Sequence, residues 1–348
     1  MKQISSLIII LFVGLSSCKK EGLFSANMDE TLYLRNGKSD MPVFVRGNGL
    51  SKVFVVVLHG GPGSSGLHYR SGKYAMVLEE HYAMVYWDQR HQGNSHGHLN
   101  EDEVTLDNMV DDTYYIIRML KKRYGEDISV FLYGHSWGGT LGTAYMEKDD
   151  YQYEVKGWIE SDGAHDFKRM PIEVVKMIQD IGGQELTNGN HVSDWQEMLD
   201  FVNDIDTSNI TSKDFGKLND YGYQTEKLLP QISHPSDDDL ESSFHYIFLS
   251  PNNALTIETN DMQLPRSFRK DVAESSLTED LVKIKTPTLL LWGKYDFVVP
   301  PMLGTTAFAK IGTTDKYLKI YEHSAHSPMY NEPDLYVTDI VAFIEQYK

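Results

Sequence analysis

The chain has 348 residues and a formal net charge of −18, an acidic balance that argues against a nucleic-acid surface, since phosphates need a basic face. Its 41% hydrophobic and 11% aromatic content suits a globular protein with a full core, and its length fits one large α/β domain with an insertion or two modest domains. A single cysteine excludes an internal disulfide in any compartment.

The cysteine is informative by position. Met1-Lys2 is a short basic start, residues 7–15 are apolar, and Leu15-Ser16-Ser17-Cys18 closes the run. The run is too short to cross a bilayer and has the shape of a secretory h-region. Small residues directly before a cysteine resemble a bacterial lipobox. On that reading residues 1–17 are a signal peptide and Cys18 is the lipidated first residue of the mature chain. Its acyl chains exceed the two-anchor requirement for stable attachment. The protein then sits in the cell envelope, periplasmic or surface-facing, and meets the membrane only through Cys18. The bland alternative is an ordinary signal peptide with an incidental cysteine.

Residues 18–34 read as a tether running into the first strand, and 35–164 as the first part of a core. Residues 41–45 and 52–58 read as strands with Gly47-Asn48-Gly49 as the turn between them. The second is nearly continuous in valine, as a strand buried on both faces should be. It ends in His59-Gly60-Gly61-Pro62-Gly63, and a glycine-rich loop at the carboxyl end of a buried parallel strand is where an open α/β sheet places its ligand site. Glycine there lets backbone approach a reacting carbonyl and supply an oxyanion donor. The next strand, 83–87, runs into Asp88-Gln89-Arg90-His91. Residues 105–124 form an amphipathic helix whose stripe is Leu106, Met109, Val110, Thr113, Ile117, Leu120 and Tyr124, capped by Thr105 and stopped by Gly125.

An apolar run at 128–133 then enters Gly134-His135-Ser136-Trp137-Gly138-Gly139, followed by small residues that open a helix. In strand–turn–helix context G-x-S-x-G is a nucleophile elbow: flanking glycines relieve clashes, the Ser136 hydroxyl is pushed above the sheet, and the Trp137 N–H sits at a helix N-terminus. A further strand follows at 155–159, and alternating strands and helices indicate a mostly parallel sheet. From 165 to 281 the rhythm breaks into helical pieces such as 172–181 and 194–205, read as a helical cap over the sheet's carboxyl edge. The core resumes over 282–348 with strands at 288–292 and 317–321, a helix around 305–310, and a closing helix at 333–347.

Both resumed strands end in what the elbow requires. Asp296 follows the first, and His323 and His326 follow the second. Ser136, Asp296, His326 is the chain order of α/β-hydrolases. His326 is preferred over His323 as the base because three more residues of loop suit a side chain reaching back to the elbow, and Asp296 is preferred over Asp162 as the acid. His326 takes the Ser136 proton while Asp296 fixes the imidazole tautomer and stabilises the cation. No metal or organic cofactor is implied. The spacing of His91, His96 and His98 matches no usual metal site, and a solvated loop is the reading for them, as for His81, His191, His234 and His245.

Together the His59–Gly63 loop, Trp87-Asp88-Gln89-Arg90, the elbow and Gly293-Lys294-Tyr295-Asp296 resemble the proline iminopeptidase branch of the α/β-hydrolase fold, over about 43–161 and from 287 to the end. The resemblance implies Gly61 and Trp137 N–H groups as oxyanion donors and removal of an N-terminal residue, typically proline, from a peptide. Two departures stand out. The family's Asp-Gln-Arg-Gly ends here in His91, and the position after the acid, which in some members anchors the substrate amine with glutamate, is Phe297. Glu226, Glu241 and Glu274 lie in the cap, with no motif tying any of them to an amine. Unpaired burial of a substrate ammonium would cost several kcal/mol. The expectation is a serine hydrolase acting on a small peptide or amide. A carboxylesterase or lactonase with the same machinery is the runner-up, followed by a non-catalytic envelope lipoprotein.

Overall fold

In the computed structural model, which describes residues 23–97, 100–148, 150–234 and 254–348, the valine-rich run is the middle of a nine-stranded sheet. The leader, Cys18, His98, Glu241 and His245 lie outside the described residues. The strands are β1 (Met28–Asn36), β2 (Ser39–Gly47), β3 (Val53–Leu58), β4 (Ala83–Trp87), β5 (His96–Gly97), β6 (Ser129–His135), β7 (Gly157–Ser161), β8 (Thr288–Gly293) and β9 (Lys316–Tyr321). Their order is β1-β2-β4-β3-β6-β7-β8-β9, with β5 on β2. β1, β2 and β4 pair antiparallel, whereas every pairing from β4 through β9 is parallel. Six strands therefore open their carboxyl ends at one rim, which is what brings distant segments together.

Burial follows strand periodicity. Phe54, Val56 and Leu58 join one hydrophobic layer, while Val53, Val55 and Val57 join the other, so both faces of β3 need covering. In chain order the helices are α1 (Gly72–His81), α2 (Leu106–Tyr124), α3 (Trp137–Glu147), α4 (Met170–Met177), α5 (Gly183–Asn188), α6 (Val192–Asp204), α7 (Ser212–Leu228), α8 (Ala254–Gln263), α9 (Arg266–Ala273), α10 (Pro301–Lys310), α11 (Pro328–Asn331) and α12 (Pro333–Tyr347). α2 and α3 pack into the first layer, through residues such as Ile117, Leu120 and Leu141. α1 and α12 pack into the second, through Leu78, Ile340 and Phe343. α2 starts where the Thr105 hydroxyl accepts the Asn108 N–H at 3.2 Å. It stops at Gly125, whose φ of 115° suits glycine.

Between β7 and β8 lie α4–α9. A core of its own, built on Val174, Ile178, Trp195, Met198 and Tyr221, reaches the sheet body through Phe297 and Ala325. Each of those two residues is a chain neighbour of a predicted site residue.

Two features differ from the sequence reading. Residues 28–34 are not tether but most of β1, paired with β2 along its length. The inward positions include Glu30 as well as Leu32 and Leu34, and Glu30 accepts the Tyr124 hydroxyl at 3.1 Å. That inward carboxylate interrupts the apolar alternation that would have marked a strand. The segment at 47–49 carries the chain from β2 to β3 without pairing them, because β4 lies between.

Candidate active site

Ser136 sits between β6 and α3 with φ 57° and ψ −121°, in the left-handed half of backbone space that a side chain rarely occupies. The glycines around it permit the turn. A Cβ at Gly138 would overlap the Leu58 carbonyl, and one at Gly134 would overlap the Gly138 carbonyl. The half-buried Ser136 hydroxyl donates to His326 Nε2 at 3.1 Å, and His326 Nδ1–H donates to Asp296 Oδ2 at 2.9 Å. The other Asp296 oxygen accepts N–H bonds from Val298 at 2.8 Å and Val299 at 2.7 Å. Asp296 is thus locked by its own loop with one lone pair aimed at the imidazole. Burial opposes charge on His326, but the Asp296 and Glu226 carboxylates outweigh it and raise its pKa above the ordinary histidine value.

Neither Gly61 N–H nor Trp137 N–H donates to an acceptor among the described residues. Gly61 takes φ 119° in a cis Gly61–Pro62 turn. The Trp87-Asp88-Gln89-Arg90 motif braces that turn. Asp88 Oδ1 accepts the Ser65 hydroxyl at 2.8 Å and Gly66 N–H at 2.7 Å. The Gln89 amide donates to the His59 carbonyl at 3.0 Å and accepts Trp137 Nε1–H at 2.8 Å. Gln92 Oε1 takes Gly63 N–H at 2.6 Å. Arg90 reaches away, forming a two-point bond to Asp112 at 2.8 and 2.7 Å, with both side chains buried.

The remaining sequence-predicted residues fall elsewhere. His323 is exposed and bonds the Gln231 carbonyl at 3.1 Å. Asp162 lies beside Asp296 rather than on the imidazole, accepting Gly293 N–H at 2.9 Å. Burial, reinforced by Asp296, raises it well above the carboxylate range. His91 is a correction: it is buried rather than solvated, and its φ of 54° fills a left-handed position that glycine would take without strain. His96 is exposed beside Asn94, and His81, His191 and His234 are exposed.

In the insert, Glu226 is half-buried on α7, and its Oε1 accepts the His326 N–H at 3.1 Å. Tyr223 lies one turn earlier, its ring centroid 6.0 Å from that of His326. Glu274 is exposed at the end of α9. Phe297 packs into the core of the insert, wholly buried with its ring 6.2 Å from that of Trp195. Its backbone leaves no room for a Cβ at Gly222. From α8, the Asp261 carboxylate abuts Gly63, and the Asn260 amide ties the helix to the Gly93 carbonyl at 2.9 Å and the Ser95 carbonyl at 2.8 Å.

Sequence reasoning missed the Arg90–Asp112 pair and a wholly buried Glu160–His165 pair at 2.7 Å. Asp112 lies just beside the apolar stripe of α2 rather than in it, so helical spacing did not mark it as buried. Nothing local marks the second.

A largely parallel sheet flanked by helices, with a strained serine at the carboxyl end of its central strands, defines an α/β-hydrolase. The chain belongs to the serine aminopeptidase family S33, whose model matches residues 50–214 and 255–334, and stands in the proline iminopeptidase-like branch. It is 23% identical over 322 residues to the "Probable aminopeptidase YbaC" of Bacillus subtilis, covering 87% of this chain and 92% of the relative. It is 26% identical over 294 residues to the proline iminopeptidase of Saccharolobus solfataricus, covering 84% of each. Among solved structures the fold is shared with VinJ at TM-score 0.62 and 21% identity, over 92% of this chain and 99% of that one.

Proposed function

We propose that this protein is a serine hydrolase that removes an N-terminal residue, proline by preference, from small peptides. The observation that carries it is the file of three groups Ser136, His326 and Asp296, spaced 3.1 and 2.9 Å apart. Ser136 Oγ attacks the carbonyl as its proton passes to His326 Nε2, and Asp296 stabilises the imidazolium. The tetrahedral oxygen is received by the N–H groups of Gly61 and Trp137. The leaving amine then takes the proton from His326, an acyl-enzyme remains, and water deprotonated by His326 hydrolyses it. Glu226, beside the imidazole on the insert, supports an aminopeptidase because a substrate ammonium needs a carboxylate partner.

A fluorophosphonate probe and a panel of aminoacyl 4-nitroanilides against short 4-nitrophenyl esters test this. Wild type is expected to label and to cleave the prolyl anilide, while Ser136→Ala does neither, losing at least about 10³-fold in kcat/KM. Esters cleaved with every anilide untouched would leave a carboxylesterase, the reading favoured by Phe297, which supplies no carboxylate for an amine at the position after Asp296. Absence of labelling would leave a binding protein.

The Leu15-Ser16-Ser17-Cys18 sequence supports a lipid anchor in the cell envelope. Wild type is expected in the membrane fraction after bacterial expression and Cys18→Ser in the soluble fraction; equal partition of the two would retire the anchor.

A further inference from the structure

His135 is the first of the two positions that the G-x-S-x-G elbow leaves unspecified, and it takes no part in the chemistry above. It is nonetheless buried with both ring nitrogens engaged. Nε2 lies 2.7 Å from the His326 carbonyl oxygen, and Nδ1 lies 2.7 Å from the Tyr69 hydroxyl. A carbonyl only accepts, so Nε2 carries the proton. Burial, helped by the neighbouring His326, lowers the His135 pKa to about 3, so the ring is neutral and Nδ1 is bare. The Tyr69 hydroxyl must then donate to it. That leaves the Tyr69 oxygen to accept Gly60 N–H at 2.9 Å.

Each donor has one acceptor and the chain runs one way, from Gly60 through Tyr69 and His135 to the main chain of His326. Both ends are tight. A Cβ on Gly60 would stand 2.7 Å from the Tyr69 hydroxyl and 3.2 Å from the Ser136 Cβ. The His135 and His326 ring centroids are 4.8 Å apart. On its far side the His326 N–H is held by Glu226.

We infer that Tyr69 and His135 are positioning residues that tie the loop bearing Gly61 to the loop bearing His326, keeping the amide donors and the imidazole in register with Ser136. This rests on the reading of Ser136 as nucleophile. Displacement of a reacting group by about 1 Å can cost on the order of 10²-fold in rate, so a brace at this place acts on turnover rather than on substrate affinity. A ring that merely filled space would be replaced without loss by another ring.

Three variants of the full chain separate these roles. Tyr69→Phe removes the hydroxyl, His135→Phe removes both nitrogens, and His135→Gln keeps an N–H donor and an acceptor. Each is compared with wild type for kcat and KM on whichever anilide or ester wild type turns over, for fluorophosphonate labelling rate, and for Tm. Expected are losses of about 10- to 30-fold in kcat for Tyr69→Phe and His135→Phe, with KM within about twofold. His135→Gln is expected within about threefold of wild type, and the double Phe variant no worse than about its weaker parent, since the pair acts as one unit. Single variants within about twofold of wild type, losses lying in KM, or a Gln variant as poor as Phe at equal Tm would each overturn the inference. If His135→Phe does not fold, Tyr69→Phe and His135→Gln still decide. Labelling of Ser136→Ala would instead sink the reading of Ser136, which these outcomes leave untouched.

Discussion

Four groups converge on His326: the Ser136 hydroxyl and Asp296 carboxylate on its ring, and Glu226 and His135 on its backbone. Its pKa is held above the usual histidine value by Asp296 and Glu226 against burial, and on the proposed reading of His326 as the base it sets the acid side of activity. The base works only when neutral, so kcat/KM should fall as pH drops through a point above about 6.5. Glu226→Gln removes one of the raising charges yet keeps an oxygen for the His326 N–H. The acid limb should therefore move to lower pH, measurable on a neutral ester so that loss of an amine anchor does not intrude. An unmoved limb would assign the elevation to Asp296 alone. At this scale Ser136 was legible because a sequence-local turn needs glycines at fixed offsets. Tyr69 was not, because its partner His135 lies 66 positions on and no short pattern records that contact.

Among the elements, the β6–α3 turn and the insert helices place opposite demands on glycine. Gly138 sits where any Cβ meets the Leu58 carbonyl, whereas Gly216, exposed inside α7, has nothing within 4 Å of an added Cβ. Gly138→Ala should cost about 3 kcal/mol or more by overpacking. Gly216→Ala should stabilise by up to about 1 kcal/mol through helix propensity. Urea midpoints at equal m-value test both, and a neutral Gly138→Ala would mean the elbow relaxes. A related contrast holds for α2. Arg90→Met leaves the Asp112 carboxylate buried without its cation, a change worth about 3–5 kcal/mol, while loss of the solvent-screened surface pair Lys52–Asp127 should leave the urea midpoint unmoved. The pattern of α2 and α12 could be read directly because their apolar stripes repeat at helical spacing. β1 could not, since Glu30 faces inward to meet Tyr124.

For the whole molecule, a net charge of −18 favours approach of cationic substrates. If the substrate carries a free ammonium, kcat/KM for a prolyl anilide should drop about threefold between roughly 20 and 200 mM salt, while a neutral ester holds steady. Equal salt response would separate surface charge from substrate capture. The parallel sheet was foreseeable from alternating strand and helix patterns, but not the insert's attachment. The apolar part of that attachment runs through Phe297 and Ala325, whose apolar character says nothing of what they touch. The strand order has one further consequence. Ser136 follows β6, while Asp296 and His326 arrive on the loops after β8 and β9, the last strands to be synthesised. On the proposed reading of Ser136 as nucleophile, a nascent chain leaving the ribosome carries that serine before its base and acid have been made. A chain truncated before residue 288 should therefore fail to label with a fluorophosphonate, and labelling of such a fragment would count against the triad.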